Sequence, residues 1–521
     1  MEQSAGTDAE RIAPGTAMAL LAMGLGVIVI ANDFTALNVA LPAIEQDFDV
    51  DVDTAQWVIN AYALTFGMAI VTGGRLADLF GRRKVFFIGA AIFAGFSLLG
   101  GIAQDAPWLI AMRVGMGVGG ALMWPAILGM TFAALPASKA GLAGGLILGA
   151  AGIGNAMGPL IGGILTDALS WRWIFFLNVP IAALAVAMTW AKVHQPTAEQ
   201  AERRIDYAGI VSLSVGLLLL LLALDQSSDW GWLDIRVIGM LAASAGLIIT
   251  FGFVEPRMGE AALIPRDVIS NWRFTSACIT VLMMSAVFFA AVLYVPQLME
   301  KILDYSPLRA GFGMLPMLAV FAVTSFVAGP LYNRIGAKTV IAAGSACLAV
   351  GPFLLSLFEA DSGYTALLPG LIVTGLGVGL FYPSVTTAAV TALDDSRSSL
   401  AGGIVYMFQI AGGAIGLGVT TAIFTARSEE SIAAKALEEG VRLDEQKQNV
   451  IHGVLAGTDS GKTAIADFST STVDRLLEVV RESFVVGVQT GFRVIAAVAL
   501  AGLVIAVLFV GGRGGAADPN E

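Results

Sequence analysis

Apolar runs of about twenty residues recur along the whole chain, separated by short polar segments. About 20 residues of α-helix cross the ~30 Å hydrocarbon core of a bilayer, so each run predicts one spanning helix. The first six fall at about 17–40, 55–74, 84–103, 107–134, 140–166 and 172–192. Two follow at 208–224 and 235–254, and six more at 273–296, 308–332, 338–358, 364–391, 399–425 and 486–510. Residues 426–485 interrupt the pattern. This segment contains AAKALEEGVRLDEQKQNVIHGV and reads as amphipathic helices in an extracytoplasmic domain. The opening MEQSAGTDAERIAPG lacks the basic region of a secretory signal, and no small-residue cleavage site follows the first run. That run is therefore expected to be a retained span.

An internal repeat groups the fourteen runs. GRLADLFGRR (74–83) returns as GPLYNRIGAK (329–338), ALMWP (121–125) as GLFYP (379–383), and LAGG (142–145) again at 400–403. Three matches in order at nearly one offset indicate two related halves. An even number of intervening helices makes the repeat parallel, the arrangement of transporters built from two six-helix halves. Helices seven and eight are then an insert. The expected division is a first six-helix bundle over 1–194, a linker with two extra spans over 195–258, and a second bundle over 259–521 that includes the 426–485 segment.

Charge sets the expected orientation. With the N-terminus inside, the cytoplasmic loops hold Arg75, Arg82, Arg83, Lys84, Lys139, Lys192, Arg257, Arg266, Arg334 and Lys338, whereas the outer loop EQDFDVDVD has no base. The positive-inside rule then puts both termini in the cytoplasm. Composition agrees with a membrane-embedded chain: 13% of residues are charged and 57% hydrophobic, against about 25% charged in soluble domains. Abundant Ala and Gly, with Arg outnumbering Lys, point to a bacterial source and hence to the cytoplasmic (inner) membrane. The net charge of −11 lies in loops and argues against a nucleic-acid partner. Cys278 and Cys347 lie in apolar runs and His194 and His452 are isolated, so no disulfide framework, metal site or cofactor is expected. TDSGKT (458–463) lacks the first glycine of a phosphate-binding loop, because residue 456 is alanine, and GLGVG (375–379) lies inside a span. No nucleophile–base–acid constellation appears, so the chain is not expected to be an enzyme.

Two charges stand inside the membrane. Asp33, in VIANDFTALNVALP (29–42), and Arg113, in LIAMRVGMGVGGA (109–121), are each flanked by apolar sequence. Intramembrane charges face the bundle interior and mark transport pathways. In GRLADLFGRRK (74–84), Gly74 and Gly81 suit a tight two-helix turn. Asp78 can accept from backbone N–H groups at a helix start, with Arg82 and Arg83 as counter-charges. Small residues at three- and four-residue spacing in GAAGIGNAMGPLIGG (149–163) permit close helix crossing, and Pro159 kinks the helix.

These stretches resemble the motifs of the major facilitator superfamily, and across nearly the whole chain they resemble its fourteen-helix drug–proton antiporters. GRLADLFGRRK matches the loop between helices 2 and 3, where the resemblance implies a cytoplasmic latch formed by Gly74, Asp78, Gly81, Arg82 and Arg83. The second copy has Asn333 at the position of Asp78, so the latch is expected to be asymmetric. Arg113 matches the helix-4 arginine associated with proton coupling, although Met116 stands where a glutamine is common. Gly154, Gly158, Pro159, Gly162 and Gly163 match the antiporter motif of exporters. NDFTALNVALP resembles the helix-1 motif, and QWVINAY (56–62) and SWRWIFFLNVP (170–180) look like further hallmarks. The implied fold is an all-α polytopic membrane protein, two six-helix bundles plus two inserted helices.

The implied activity is proton-coupled antiport of lipophilic drugs, cationic ones included, by a monomer surrounded by membrane lipids. A dedicated exporter of one endogenous lipid or secondary metabolite is the alternative. Burial favours a neutral carboxyl group and a nearby guanidinium favours its anion. A carboxyl presented alternately to the two sides can therefore load and release a proton, the role expected of Asp33 tuned by Arg113. The polar or aromatic residues expected to line the substrate cavity are Phe34, Asn38, Trp57, Asn60, Tyr62, Trp124, Asn155, Tyr294, Gln297, Tyr382, Tyr406 and Gln409.

Overall fold

The computed structural model describes residues 15–193, 205–438 and 470–510; TDSGKT, His194 and His452 fall outside them. Among the described residues, fourteen helices are long and apolar enough to cross a membrane. They are α1 (Thr16–Phe48), α2 (Val52–Phe80), α3 (Arg82–Gly101), α4 (Ala106–Ala134), α5 (Ala140–Ala168), α6 (Arg172–Lys192), α7 (Tyr207–Trp230) and α8 (Ile235–Val254). The rest are α9 (Trp272–Lys301), α10 (Leu315–Ile335), α11 (Ala337–Leu355), α12 (Leu368–Val390), α13 (Ser398–Glu438) and α14 (Thr470–Phe509).

Helix starts are written locally. Asp51, Asp105, Asp206 and Asp234 each accept from a backbone N–H in the first turn of α2, α4, α7 and α8, at 2.8 Å in every case. Such caps satisfy donors that the helix leaves unpaired. Gly81 (φ +101°) turns α2 into α3 in a single residue, and Gly336 (φ +87°) does the same between α10 and α11.

The repeat seen in the sequence is a repeat of packing. In the first bundle α1 packs on α5 and α6, and α4 on α2 and α3; in the second, α9 packs on α13 and α14, and α12 on α10 and α11. The bundles meet through two related pairs, α5 with α10 and α2 with α13. The inserted α7 pairs with α8 and also rests on α2 and α13, covering one of these seams.

Two expectations about extent are corrected. The span expected at 308–332 is broken, with a helical turn over Pro307–Gly313 ending before α10 starts at Leu315, where Pro316 has no N–H to continue the ladder. The 426–485 segment is no separate domain at its ends, because α13 runs unbroken through 426–438 and α14 already begins at Thr470. Neither extension contains Gly or Pro to stop it. Side by side, they are tied by an ion pair of Lys435 with Glu482 and by Ser483 with Ser431 at 3.0 Å. Residues 439–469 lie outside the described chain.

Candidate functional site

Asp33 sits at the middle of α1 and is wholly buried, as is Arg113 of α4 at 1% exposure. Its central place comes from the length of α1, which runs on to Phe48, past the expected end at residue 40. Arg113 Nη1 forms an ion pair with Asp33 Oδ2. Asn178 Nδ2, from α6, donates to Asp33 Oδ1 at 3.0 Å and lies 3.2 Å from Ser97 Oγ of α3, which itself donates to the Phe175 carbonyl at 2.8 Å. Arg113 Nε donates to the Val58 carbonyl of α2 at 2.8 Å, and its guanidinium lies 4.2 Å from the Tyr62 ring centre. Five helices thus converge on one carboxylate. Breaking such a buried pair by removing one partner costs about 3–5 kcal/mol. Met116, in place of the expected glutamine, offers only its sulfur to Arg113 at 3.8 Å, and Asn178 provides the neutral polar contact to Asp33 instead.

The α5 glycines seat the helix that carries Asp33. A Cβ on Gly154 would come within 2.8 Å of Ala31 Cβ and the Ile28 carbonyl; one on Gly158 would collide with the Thr35 hydroxyl and lie 2.9 Å from Ala36 N. One on Gly162 would collide with the Ala36 carbonyl. Thr35 Oγ1 also donates across to the Asn155 carbonyl at 3.1 Å. Pro159 is half-buried within α5 and Gly163 is buried. Overpacking of this kind costs about 1–3 kcal/mol. Gly158→Ala is accordingly expected to lower the melting temperature and to cut transport, because α1 must move away from Arg113. Thermal melts of purified protein and flux in vesicles check both; an unshifted melt with full flux would show that the contact is slack.

At the arginine-rich end a second cluster joins the bundles. Asp78 accepts from Leu400 N at 2.8 Å and Ser399 N at 3.3 Å, in the first turn of α13, and from Arg82 Nε at 3.1 Å. The helix N-terminus favours the carboxylate there. Arg82 Nη1 reaches the Gly129 carbonyl at 3.0 Å and Nη2 reaches the Asp395 carbonyl, while Arg83 Nη2 reaches the Trp190 carbonyl at 2.9 Å within the first bundle. Gly74 permits the approach, since a Cβ would stand 2.6 Å from the Ser399 carbonyl. At the related position in the other seam, Gly141 and Gly329 pack backbone to backbone, and Asn333 Oδ1 lies 2.8 Å from where a Gly141 Cβ would be. Asn333 stands on that side at the position related to Asp78.

Of the expected cavity residues, the structure gathers four, together with Phe66, into an aromatic bridge between the bundles. Phe34 lies 4.6 Å from Tyr62 and 5.4 Å from Phe66; Phe66 lies 5.6 Å from Tyr406, and Trp124 lies 4.5 Å from Tyr406. These are Phe34, Tyr62 and Trp124 of the first bundle and Tyr406 of α13. Others stand elsewhere. Tyr294 bonds Thr421 at 2.8 Å and packs on Phe424 and Phe492, so it is a packing residue among α9, α13 and α14. Tyr382, fully buried, donates to Ser285 of α9 at 3.0 Å. Asn38 is exposed and bonds its own helix at the Phe34 carbonyl, and Asn60 is turned toward the insert, donating to Asp225 at 3.0 Å. Trp57, Asn155, Gln297 and Gln409 are half-buried. A shallow apolar groove lies between Val39, Ala156, Pro159 and Leu160 of the first bundle and Phe312, Leu315 and Leu318 of the second.

Sequence reasoning missed Asn178, Ser97 and Asp225. Asn178 lies within SWRWIFFLNVP, so its motif was visible though its contact was not; Asp225 begins one residue beyond the expected end of its span at 224.

Fourteen spanning helices in two related bundles, with a charge pair buried inside the first, define a multi-pass membrane transporter of small molecules. The family profile described as Major Facilitator Superfamily matches residues 23–417, and the chain belongs to that family. It is a transporter, not an enzyme. Its relatives include the tetracenomycin C resistance and export protein of Streptomyces glaucescens, 29% identical over 94% of this chain and 90% of that one. The multidrug resistance protein Stp of Mycobacterium tuberculosis is 33% identical over 78% and 76% of the two chains, and the puromycin resistance protein of Streptomyces alboniger 31% over 82% and 86%. Among solved structures, the human organic anion transporter MFSD10 (TETRAN) superposes with a TM-score of 0.63 over 95% of this chain and all of that one; at 12% identity it shares the fold.

Proposed function

We propose that the protein is a proton-coupled antiporter that exports lipophilic compounds, cationic ones included, across the bacterial cytoplasmic membrane. The observation that carries this reading is the Asp33–Arg113 pair, buried at mid-helix and seated by the α5 glycines. The relatives named for resistance to, or export of, antibiotics support the substrate class. In this reading the arginine-rich end faces the cytoplasm, both termini lie inside, and the monomer divides at 1–194, 195–258 and 259–521.

The chemistry follows from charge balance. A proton arriving at Asp33 removes the anion that holds Arg113, leaving the guanidinium to its contacts with Tyr62 and the Val58 carbonyl. Cation–π attraction grows when the cation is desolvated and unpaired. Tyr62 touches Phe34, and the aromatic bridge continues to Tyr406 in the second bundle, so the charge state of Asp33 bears on the contact between the halves. The Asp78 cluster holds the arginine-rich end shut while the apolar groove lies toward the opposite end. Each inward elementary charge at 100 mV supplies about 2.3 kcal/mol, enough for a roughly 50-fold concentration ratio.

Efflux of several unrelated dyes from cells lacking other pumps tests the reading. Loss of that efflux on adding an uncoupler is the expected result. Efflux indifferent to the uncoupler would remove the proton coupling. Absence of any dye phenotype would favour the dedicated exporter of one endogenous lipid or secondary metabolite, for which the paired α13–α14 extensions offer a docking platform.

A further inference from the structure

Two carboxyls meet where the insert begins and ends. Asp206 caps α7, its Oδ1 accepting from Gly209 N at 2.8 Å, and Glu255 directly follows α8, its Oε1 accepting from Ile264 N at 2.5 Å. Both residues are only 2% exposed. Each keeps a second buried oxygen, Asp206 Oδ2 and Glu255 Oε2, that has no hydrogen-bond partner among the described residues. These two oxygens stand over the bare Cα of Gly209: a Cβ there would collide with Asp206 Oδ2 and lie 2.7 Å from Glu255 Oε2. Ionised carboxylates only accept hydrogen bonds, whereas a protonated one gains an O–H donor. One proton between the two therefore satisfies both oxygens, and two carboxyls sharing a site hold that proton the more firmly. Arg75 of α2 lines the shallow cleft beside Asp206, and Arg257, on the linker with Glu255, bonds the Phe253 carbonyl at 3.1 Å.

The same pair fastens the linker that leads from the insert to the second bundle. Leu263, Ile264 and Val268 of this linker are buried. Further along, Asp267 forms an ion pair with Arg397, and Asn271 Nδ2 donates to the Ala392 carbonyl at 2.7 Å. Arg397 ends the turn Asp395–Arg397 that leads into α13, and Arg82 reaches this turn at the Asp395 carbonyl. The linker thus connects the carboxyl pair to the start of α13, where Asp78 accepts.

We propose that Asp206 and Glu255 hold one proton between them, a second protonation site apart from Asp33, and that loss of this proton releases the linker from the insert. The proton passes to solution at the arginine-rich end, and two anions then face each other where one hydrogen bond stood. Because the fastened pair binds a proton that separated carboxyls give up, the tie is complete at low pH and is lost as pH rises through the midpoint of the pair. The site involves no substrate and does not rest on the export reading.

Infrared difference spectra of the purified full chain, taken across a step from about pH 6 to about pH 8, read the proton directly. Wild type is expected to lose the carbonyl stretch of a protonated carboxyl. That loss should persist in Asp33→Asn and be diminished in Glu255→Gln and Asp206→Asn, which keep a side-chain hydrogen bond without a titratable proton; Asn also caps a helix as well as Asp. A spectrum unaltered by Glu255→Gln would overturn the proposal. Leu263→Cys reports release of the linker. Dividing its labelling rate by that of the same thiol in Glu255→Gln cancels the thiol's own titration. The ratio should rise with pH by up to about tenfold per unit, the ceiling for one released proton. A ratio flat in pH would show that the proton does not fasten the linker, and would also overturn the proposal.

Discussion

Asp33→Asn is expected to abolish gradient-driven efflux, because the amide cannot carry a proton, and to cost about 3 kcal/mol or more of stability, since a buried pair robbed of one partner leaves an uncompensated charge. Asparagine keeps the shape, and its carbonyl can still accept from Arg113, but it cannot carry a proton to and fro. The guanidinium, only 1% exposed, is left without its anion, so the melting temperature should fall as well. Arg113→Gln in the same chain separates the two effects. The double variant is expected to regain much of the lost thermal stability, because no uncompensated charge remains buried, yet to stay inactive. Flux in everted vesicles and melts of purified protein provide the two readouts. Wild-type flux in Asp33→Asn would remove the carboxylate from the coupling mechanism.

Asp78→Ala should have the next largest effect. It strips an acceptor from Ser399 N and Leu400 N and the counter-charge from Arg82 at once. Charge-assisted bonds are worth about 1.5–3 kcal/mol each, so a fall in flux of about tenfold or more is expected, with ethidium affinity little altered because the binding regions lie elsewhere. Asp78→Asn retains an oxygen for the two N–H groups and should fall between. Asn333→Ala, at the related junction where a neutral amide stands in place of the carboxylate, should cost much less. A cysteine placed at Ser399 reports the opening: its labelling from the arginine-rich end should quicken in Asp78→Ala. Equal labelling in both backgrounds would show that Asp78 does not hold that end closed.

Much of the fold was legible because the bilayer imposes a length on each apolar run, and all fourteen spans are helices in the structure. The repeat was legible because its matched residues are the ones that pack: Gly329 meets the Gly141 backbone much as Gly74 meets Ser399. Hydropathy stops at the membrane boundary, so it said nothing of how far α13 and α14 continue through residues whose helicity depends on having no breaker. The site was legible in its charges and not in its rotations. Asp33 and Arg113 announced themselves as ions in apolar sequence. Which way Asn60, Tyr294 or Asn178 faces depends on helix rotation set by packing between distant segments; Asn178 meets Asp33 across 145 residues of chain. The broken start of α10 hid behind a run apolar enough to be one helix, although Pro316 was there to be weighed.

Proton exchange on substrate binding tests the proposed coupling role of Asp33 most directly. Purified wild-type protein in weakly buffered detergent solution, titrated with a transported substrate near neutral pH, is expected to show a proton change of up to about one per protein, the linkage demanded if substrate and proton bind competitively. Asp33→Asn should bind the substrate and exchange none. The same proton change in Asp33→Asn as in wild type would contradict the assignment of Asp33 as the coupling carboxylate.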